Sequence, residues 1–334
     1  MQVFIFKTID LEDIMILLMA EDQDPHADMV IHAIESKGGG VLRVNPELLD
    51  ERLNGISCQL DQDGNLGGSF KYLNRQADIP SINSVFCRNY HFQFAEEEEN
   101  KSQDDLLIAK ELEASFKGLC ESLSCSWMNA PWYMDACESK IVQMQAARRL
   151  GFDVPDMLLT NQAEPLLEFK SSQEVVVKQL SGICVFEEDG VSAKSLYTHL
   201  LKNDDLKNIS ELRNSPAFFN SFIDKQHDLR VTVVGKKIFA VRVFSQQFTE
   251  SQVDFRRRDG DWEMEACELP DELAEKIIRL MQHFNLNFGA LDFAVDSDGR
   301  FWFLEINSEG NWLWMESELE LPISDTIASQ LLES

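Results

Sequence analysis

Two apolar segments near the end of the chain constrain its fold more than any other feature. Gly289-Ala290-Leu291-Asp292-Phe293 and Phe303-Leu304-Glu305-Ile306-Asn307 flank the turn sequence Asp296-Ser297-Asp298-Gly299. This spacing predicts antiparallel strands over Phe288–Val295 and Phe301–Ile306. Alternate strand residues share a face, so Glu305 and Asn307 point the same way and Asp292 can stand opposite them. Their apolar neighbours Leu291, Phe293, Phe303 and Leu304 argue for a packed sheet with the acids aimed into a cleft. The alternative is the polar face of an exposed hairpin. Two carboxylates and an amide oxygen form a hard donor set that suits Mg²⁺, especially when phosphate oxygens complete its shell.

The preceding chain alternates between strand and helix signals. Val3–Phe6 and Met15–Met19 are short apolar runs, His26–Ser36 has helical spacing ended by Gly38-Gly39-Gly40, and Val41–Val44 resumes as a strand. This β-α-β order predicts a parallel or mixed sheet. Ile56–Leu60 before Asp63-Gly64 reads as one hairpin arm, Ser84–Cys87 as a strand and Asp104–Leu123 as an amphipathic helix, whereas Glu96–Glu99 reads as a solvated loop or helix start. A second unit opens with a helix over Met134–Leu150. Strands follow at Met157–Thr160 and Val175–Lys178, with a hairpin about Asp189-Gly190 and a short helix over Asp204–Arg213. The third unit adds strands Phe218–Ile223, Leu229–Val234 and Ile238–Phe244, a helix Pro270–Phe284 and a final helix Ile323–Leu332. The expected domains are 1–125, 126–215 and 216–334, in an α/β (α+β) fold.

Charge narrows the function. The 334 residues carry 30 Lys+Arg against 58 Asp+Glu, a net charge of −28. Such a chain is unsuited to wrapping nucleic acid or lying on an anionic membrane. Seven cysteines, an odd number without a CxxC pair, fit a reduced, cytoplasmic protein. No apolar run approaches the ~20 residues of a membrane span, and no signal peptide is evident. The Walker A pattern, GxGxxG after the first strand and HExxH are absent, and six dispersed histidines argue against a histidine metal site.

Against this acidity a few cations stand out. Lys178 ends the apolar strand Val175-Val176-Val177, a position from which a point charge can meet a phosphate. Lys140 lies on the preceding helix. Arg230 and Arg242 fall on neighbouring strands, where both could point at one face and offer planar forks to phosphate or carboxylate oxygens. A surface salt bridge is the alternative role for each.

The ordered set Glu138-Ser139-Lys140, Val177-Lys178, Phe222-Ile223, Asp228-Leu229-Arg230-Val231, Arg242, Leu291-Asp292 and Leu304-Glu305-Ile306-Asn307 resembles the ATP-grasp superfamily. More narrowly, the stretches Trp127–Trp132, Leu150–Pro155, Arg230–Gly235 and Asn307–Trp314 resemble the microviridin-type graspetide ligases, which make side-chain ester or amide cross-links in ribosomal peptides. The resemblance covers nearly the whole chain and is most specific after Trp127. It implies an ATP-grasp fold with an N-terminal pre-ATP-grasp domain, and ATP held between two α+β units.

Lys140 and Lys178 would contact phosphates or the adenine side, and Ser181 would lie in the loop over the triphosphate. Asn220, Ser221, Phe222 and Ile223 would supply the hinge that reads adenine, in place of the family's common Gln-Glu-Tyr-Ile. Asp228 would sit near the ribose, and Asp292, Glu305 and Asn307 would hold Mg²⁺. Arg230 and Arg242 would steady an acyl phosphate and oxyanion. Asp204, Asp205 and Asn208 match a helix on which a precursor leader docks; acids in a first helical turn also complement the dipole. The first-domain strand departs from the family's Trp- and Arg-rich pattern, and no role follows for Arg88.

The implied function is ATP-dependent macrocyclisation of a ribosomal precursor peptide, in the cytoplasm and as a homodimer. The alternatives are a ligase adding a free amino acid to a peptide or small molecule, and a non-catalytic ATP-binding scaffold.

Overall fold

The computed structural model describes residues 15–88, 102–180, 185–186, 193–194, 197–257 and 263–333. The expected strand Val3–Phe6 and the acidic run Glu96–Glu99 lie outside them. The N-terminal sheet is wholly parallel, ordered Gly40–Val44, Met15–Met19, Ile82–Cys87 and Ser126–Met128. Met15–Met19 is apolar throughout because both its faces are covered. The crossover helix Pro25–Ser36 starts where the Asp24 carboxylate accepts the N–H groups of His26 (2.8 Å) and Ala27 (3.1 Å). The C-terminal helix Ile323–Leu332 covers the same side, sharing a core with Ile16, Leu18, Val30 and Ile34.

An antiparallel meander, Leu53–Leu60, Leu66–Tyr72 and Arg75–Asp78, carries the expected hairpin. Its turn places Gly64 at φ 86°, a left-handed conformation that glycine adopts without Cβ strain. The helix Gln103–Glu121 follows, opened by a reciprocal Ser102–Asp105 capping box. The expected helix 134–150 is two helices, Pro131–Glu138 and Lys140–Arg149, because Ser139 is extended (φ −69°, ψ 109°). Lys140 therefore opens its helix. Asp204–Arg213 is likewise 3-10, over Asp205–Asn214, with Asn208 departing from helical angles.

The central antiparallel sheet runs His199–Leu200, Val175–Lys178, Ala217–Ser221, Met157–Thr160. A small hairpin pairs Val185–Phe186 with Ala193–Lys194. The C-terminal antiparallel sheet runs Met264–Cys267, Lys237–Val243, Lys225–Val234, Phe288–Asp296, Phe301–Asn307. One of its faces packs on the helix Asp271–His283 through Leu229, Val231, Val233, Leu291 and Phe293 against Leu273, Ile277 and Leu280. Phe293 and Phe303 are fully buried there and meet edge to face at 5.8 Å. The opposite face carries Asp228, Arg230, Thr232 and Asp292, while Val234, Val241, Val243 and Phe288 on that face join the core shared with the C-terminal helix. The described cysteines are free, and among the described residues no helix is long and apolar enough to cross a membrane.

Candidate active site

Strand register builds the site. Arg230 pairs with Asp292, and Asp292 with Glu305, so one row across three strands carries a cation and two carboxylates on one face. The next row brings Thr232, Ala290 and Asn307 together. Arg230 Nη1 donates to both Asp292 oxygens at 2.9 and 3.0 Å, and Nη2 donates to Asn311 O at 3.1 Å. Both partners are nearly buried, and the Arg230 Nε has no partner.

Arg242 does not join this row. It stands opposite Leu229, and Arg230 opposite Val241, so the two arginines point to opposite faces. Arg242 is ion-paired with Glu265 on the outermost strand, half-exposed, away from the cleft. The expectation that both arginines serve one site is corrected by this register.

The cleft lies between the central and C-terminal sheets. Lys140, Lys178, Asn220, Ser221, Phe222, Ile223, Asp228, Asp292 and Glu305 all line it. Lys140 Nζ reaches Glu305 Oε2 at 2.7 Å, and Arg256 Nη1 lies 3.6 Å from Glu305 Oε1. Burial alone would raise the Glu305 carboxyl. Lys140, Arg256 and Lys178 outweigh it and hold the group well below the usual carboxylate range. Burial lowers the Lys178 ammonium, and the nearby Lys140 and Arg256 add to that against the pull of Glu305. Asp228 forms a buried pair with Lys225 at 2.7 Å, yet burial raises its carboxyl and its Oδ2 has no partner. In the hinge, the Ser221 and Phe222 amides donate to Asp156 O (2.9 Å) and Glu174 O (2.8 Å), and the Asn220 side chain contacts Met144 and Asp156.

The donor set fits Mg²⁺ in part. Asp292 and Glu305 face one another across the strands, and one or two carboxylates plus phosphate oxygens are a common Mg²⁺ environment. No protein-only cage of three or more His, Cys, Asp or Glu exists among the described residues. Asn307 Oδ1 accepts the Glu309 N–H at 2.8 Å and so orders the following turn.

Sequence reasoning missed several contributors. Arg256 and Asp254 wall the cleft from a 3-10 segment, with Asp254 accepting from Arg256 and from Thr198 N (3.0 Å). The signal was available: Arg256-Arg257-Arg258 is a run of three cations in a strongly acidic chain. Gln143, one turn beyond Lys140, donates to Ile306 O (2.8 Å) and accepts from Ile306 N (2.9 Å), which locks the Lys140 helix to the strand carrying Glu305. No local pattern announces that clamp. Gly310 is required by closeness, since a Cβ there would lie 2.3 Å from Ala290 Cβ and 2.9 Å from Arg230 Nη2.

Ser181 lies outside the described residues. Asp204 and Asp205 are not in the cleft: Asp204 is exposed beside Lys207, and Asp205 accepts from Lys202 N (2.6 Å) and contacts His199 (3.1 Å). Asn208 marks the kink between them and Asn214.

No family model and no curated protein sequence matches the chain. Solved structures do. A Chryseobacterium gregarium RiPP-associated ATP-grasp ligase, in complex with ADP and a leader and core peptide, aligns at TM-score 0.85 and 26% identity over 96% of this chain and 97% of that one. The macrocyclase MdnC of Microcystis aeruginosa, bound with precursor peptide MdnA, aligns at TM-score 0.82 and 27% identity over 96% and 100%. The fold also matches the ATP-grasp ligase PsnB, at TM-score 0.75 and 19% identity over 97% and 99%. The fold and the cleft define an ATP-grasp protein, an enzyme of the ligase class. Within that class the chain is similar to the RiPP-associated ATP-grasp ligases.

Proposed function

We propose that the chain activates Asp or Glu side chains of a ribosomal precursor peptide as acyl phosphates and links them to Ser/Thr hydroxyls or Lys amines. The observation that carries this is the convergence of Lys140, Lys178 and Arg256 on Glu305, beside the buried Arg230–Asp292 pair, in one cleft between two sheets. In a chain of charge −28, concentrating cations at one point suits a polyphosphate.

ATP would lie between the units 126–215 and 216–334. Its adenine would meet the Asn220–Ile223 segment, where the occupied Ser221 and Phe222 amides leave the edge to Ile223 and the carbonyls. The buried, unpartnered Oδ2 of Asp228 suits a ribose hydroxyl donor. Lys140 and Arg256 would exchange Glu305 for phosphate oxygens. Asp292 and Glu305, with Asn307 beside them, would hold Mg²⁺, which when bound neutralises charge on the phosphates. A peptide carboxylate oxygen attacks the γ-phosphorus, and the bond to the bridging oxygen breaks to release ADP. The hydroxyl or amine then attacks the acyl carbon, gives up its proton and expels phosphate. Arg230, held by Asp292 and Asn311 on the face that carries Glu305, would offer its positive charge to the developing negative charge.

A basic leader would dock near exposed Asp204, with Asp205 and Asn208 shaping that surface. A cytoplasmic setting and a homodimer belong to the same reading; sedimentation equilibrium tests the dimer. The decisive assay combines purified protein, ATP, Mg²⁺ and a candidate precursor peptide whose core carries Thr/Ser and Asp/Glu, or Lys and Glu. Each link should remove one water from the peptide mass and release one ADP. A gain of one amino-acid residue would favour the amino-acid ligase, and nucleotide binding without either product would favour the scaffold.

A further inference from the structure

Arg88 ends the parallel strand Ile82–Cys87, at the carboxyl end of the N-terminal sheet, yet its contacts lie on the loop that leaves the Glu305 strand. It is nearly buried. Nη1 donates to Glu309 O at 2.6 Å, Nη2 to Asn311 Oδ1 at 3.2 Å, and Nε to Asp24 Oδ2 at 3.1 Å. Its guanidinium carbon also lies 5.0 Å from the Trp312 ring centre, in cation–π contact. Trp312 is wholly buried, edge-on to His26 at 4.4 Å and bonded through Nε1 to Ser324 at 2.9 Å. Asn129 adds a bond to Ser308 O at 3.2 Å.

The residue held on one side by Arg88 is held on the other by the site. Asn311 gives its side-chain oxygen to Arg88 and its backbone carbonyl to Arg230. Gly310 lies against Arg230 so closely that a methyl group would not fit. Moving this loop therefore moves a partner of Arg230, and Arg230 is the only described ion-pair partner of Asp292.

We infer that Arg88 is a positioning residue for the candidate ligase site: from the N-terminal sheet it fixes the 309–312 loop, and through Asn311 it sets Arg230 and Asp292. This rests on the ligase reading above. Lysine cannot replace it, because one ammonium on a flexible stem cannot hold Asp24, Glu309 O and Asn311 together while stacking on Trp312.

The test compares wild type, Arg88→Lys and Arg88→Ala by thermal unfolding, by steady-state kinetics with ATP and precursor, and by Mn²⁺ affinity of the ADP-bound protein using electron paramagnetic resonance. Arg88→Lys should remain folded, lose roughly 10–100-fold in kcat with little change in KM for ATP, and bind Mn²⁺ about tenfold more weakly. Full rescue of kcat and Mn²⁺ affinity by lysine would overturn the inference and leave Arg88 a stabilising contact. If wild type makes no product, the ligase reading fails. The Mn²⁺ comparison then still decides, with equal affinity in Arg88→Lys and wild type counting against positioning. Should Arg88→Ala fail to fold, the lysine variant carries the test alone.

Discussion

Arg230 and Arg242 stand on adjacent strands of one sheet, and their fates differ completely. Arg230 is nearly buried, grips Asp292 with one nitrogen and Asn311 O with another, and shares its face with Glu305. Arg242 is half-exposed, pairs with Glu265 and shares its face with the apolar side chains that pack on the helix Asp271–His283. Chemistry does not separate them, since both are arginines beside a carboxylate. The separation comes from parity: pairing across the hairpin sets Arg242 opposite Leu229, and a one-residue difference in register inverts the face. Of the two, only Arg230 is delivered by the register to the face that carries Asp292 and Glu305.

Substitutions at the two arginines and their neighbours test this contrast. Arg230→Ala should have the largest effect. It leaves Asp292 buried without its cation, a loss of about 3–5 kcal/mol in denaturant unfolding, and lowers turnover by at least ~100-fold. Glu305→Gln comes next. It keeps the shape but removes the charge that Lys140 and Arg256 surround, and should weaken Mn²⁺ binding to the nucleotide complex by roughly tenfold or more.

pH distinguishes the surroundings of the two arginines. His26 packs on Trp312, next to the residue that holds Arg230, and burial, followed by the field of Arg88, lowers it to about 4. The folded state therefore keeps His26 neutral where the unfolded chain protonates it. Its stability contribution is intact above about 6.5 and is lost as pH falls from there to about 4, by roughly 3 kcal/mol. His26→Phe should flatten the unfolding curve over that window. His227, beside Arg242, is also lowered, by burial first and Arg242 second, but is less enclosed. His227→Phe should change the same curve less. The smallest effect belongs to Arg242→Ala, which removes a half-exposed ion pair worth less than about 1 kcal/mol and should leave turnover near wild type.

Much of the site was legible because it depends on short-range periodicity. Alternation from Glu305 to Asn307 places these two on one face, and the register does set Asp292 opposite Glu305, but through a bulge at Leu304, without which the turn would bring Leu304 opposite Asp292. Lys178, at the end of an apolar strand, lines the cleft as its position suggests. What stayed hidden depends on tertiary geometry. The parity of Arg242 follows from the length of the turn at Gly235, not from its neighbours. Gln143 and Arg88 act through contacts 163 and 221 residues away, and no local pattern carries such distances. The break at Ser139, which puts Lys140 at a helix start, interrupts a sequence whose apolar spacing reads as continuous helix.

Under the proposed function, a peptide carboxylate is activated on the Arg230 face of the C-terminal sheet. Trapping with hydroxylamine, in the presence of ATP, Mg²⁺ and the precursor, measures that step before any ring closes. Hydroxamate on Asp or Glu side chains should form with wild type and with Arg242→Ala, and should be lost with Arg230→Ala. Equal hydroxamate from Arg230→Ala and wild type, or its loss in a folded Arg242→Ala protein, would contradict the account.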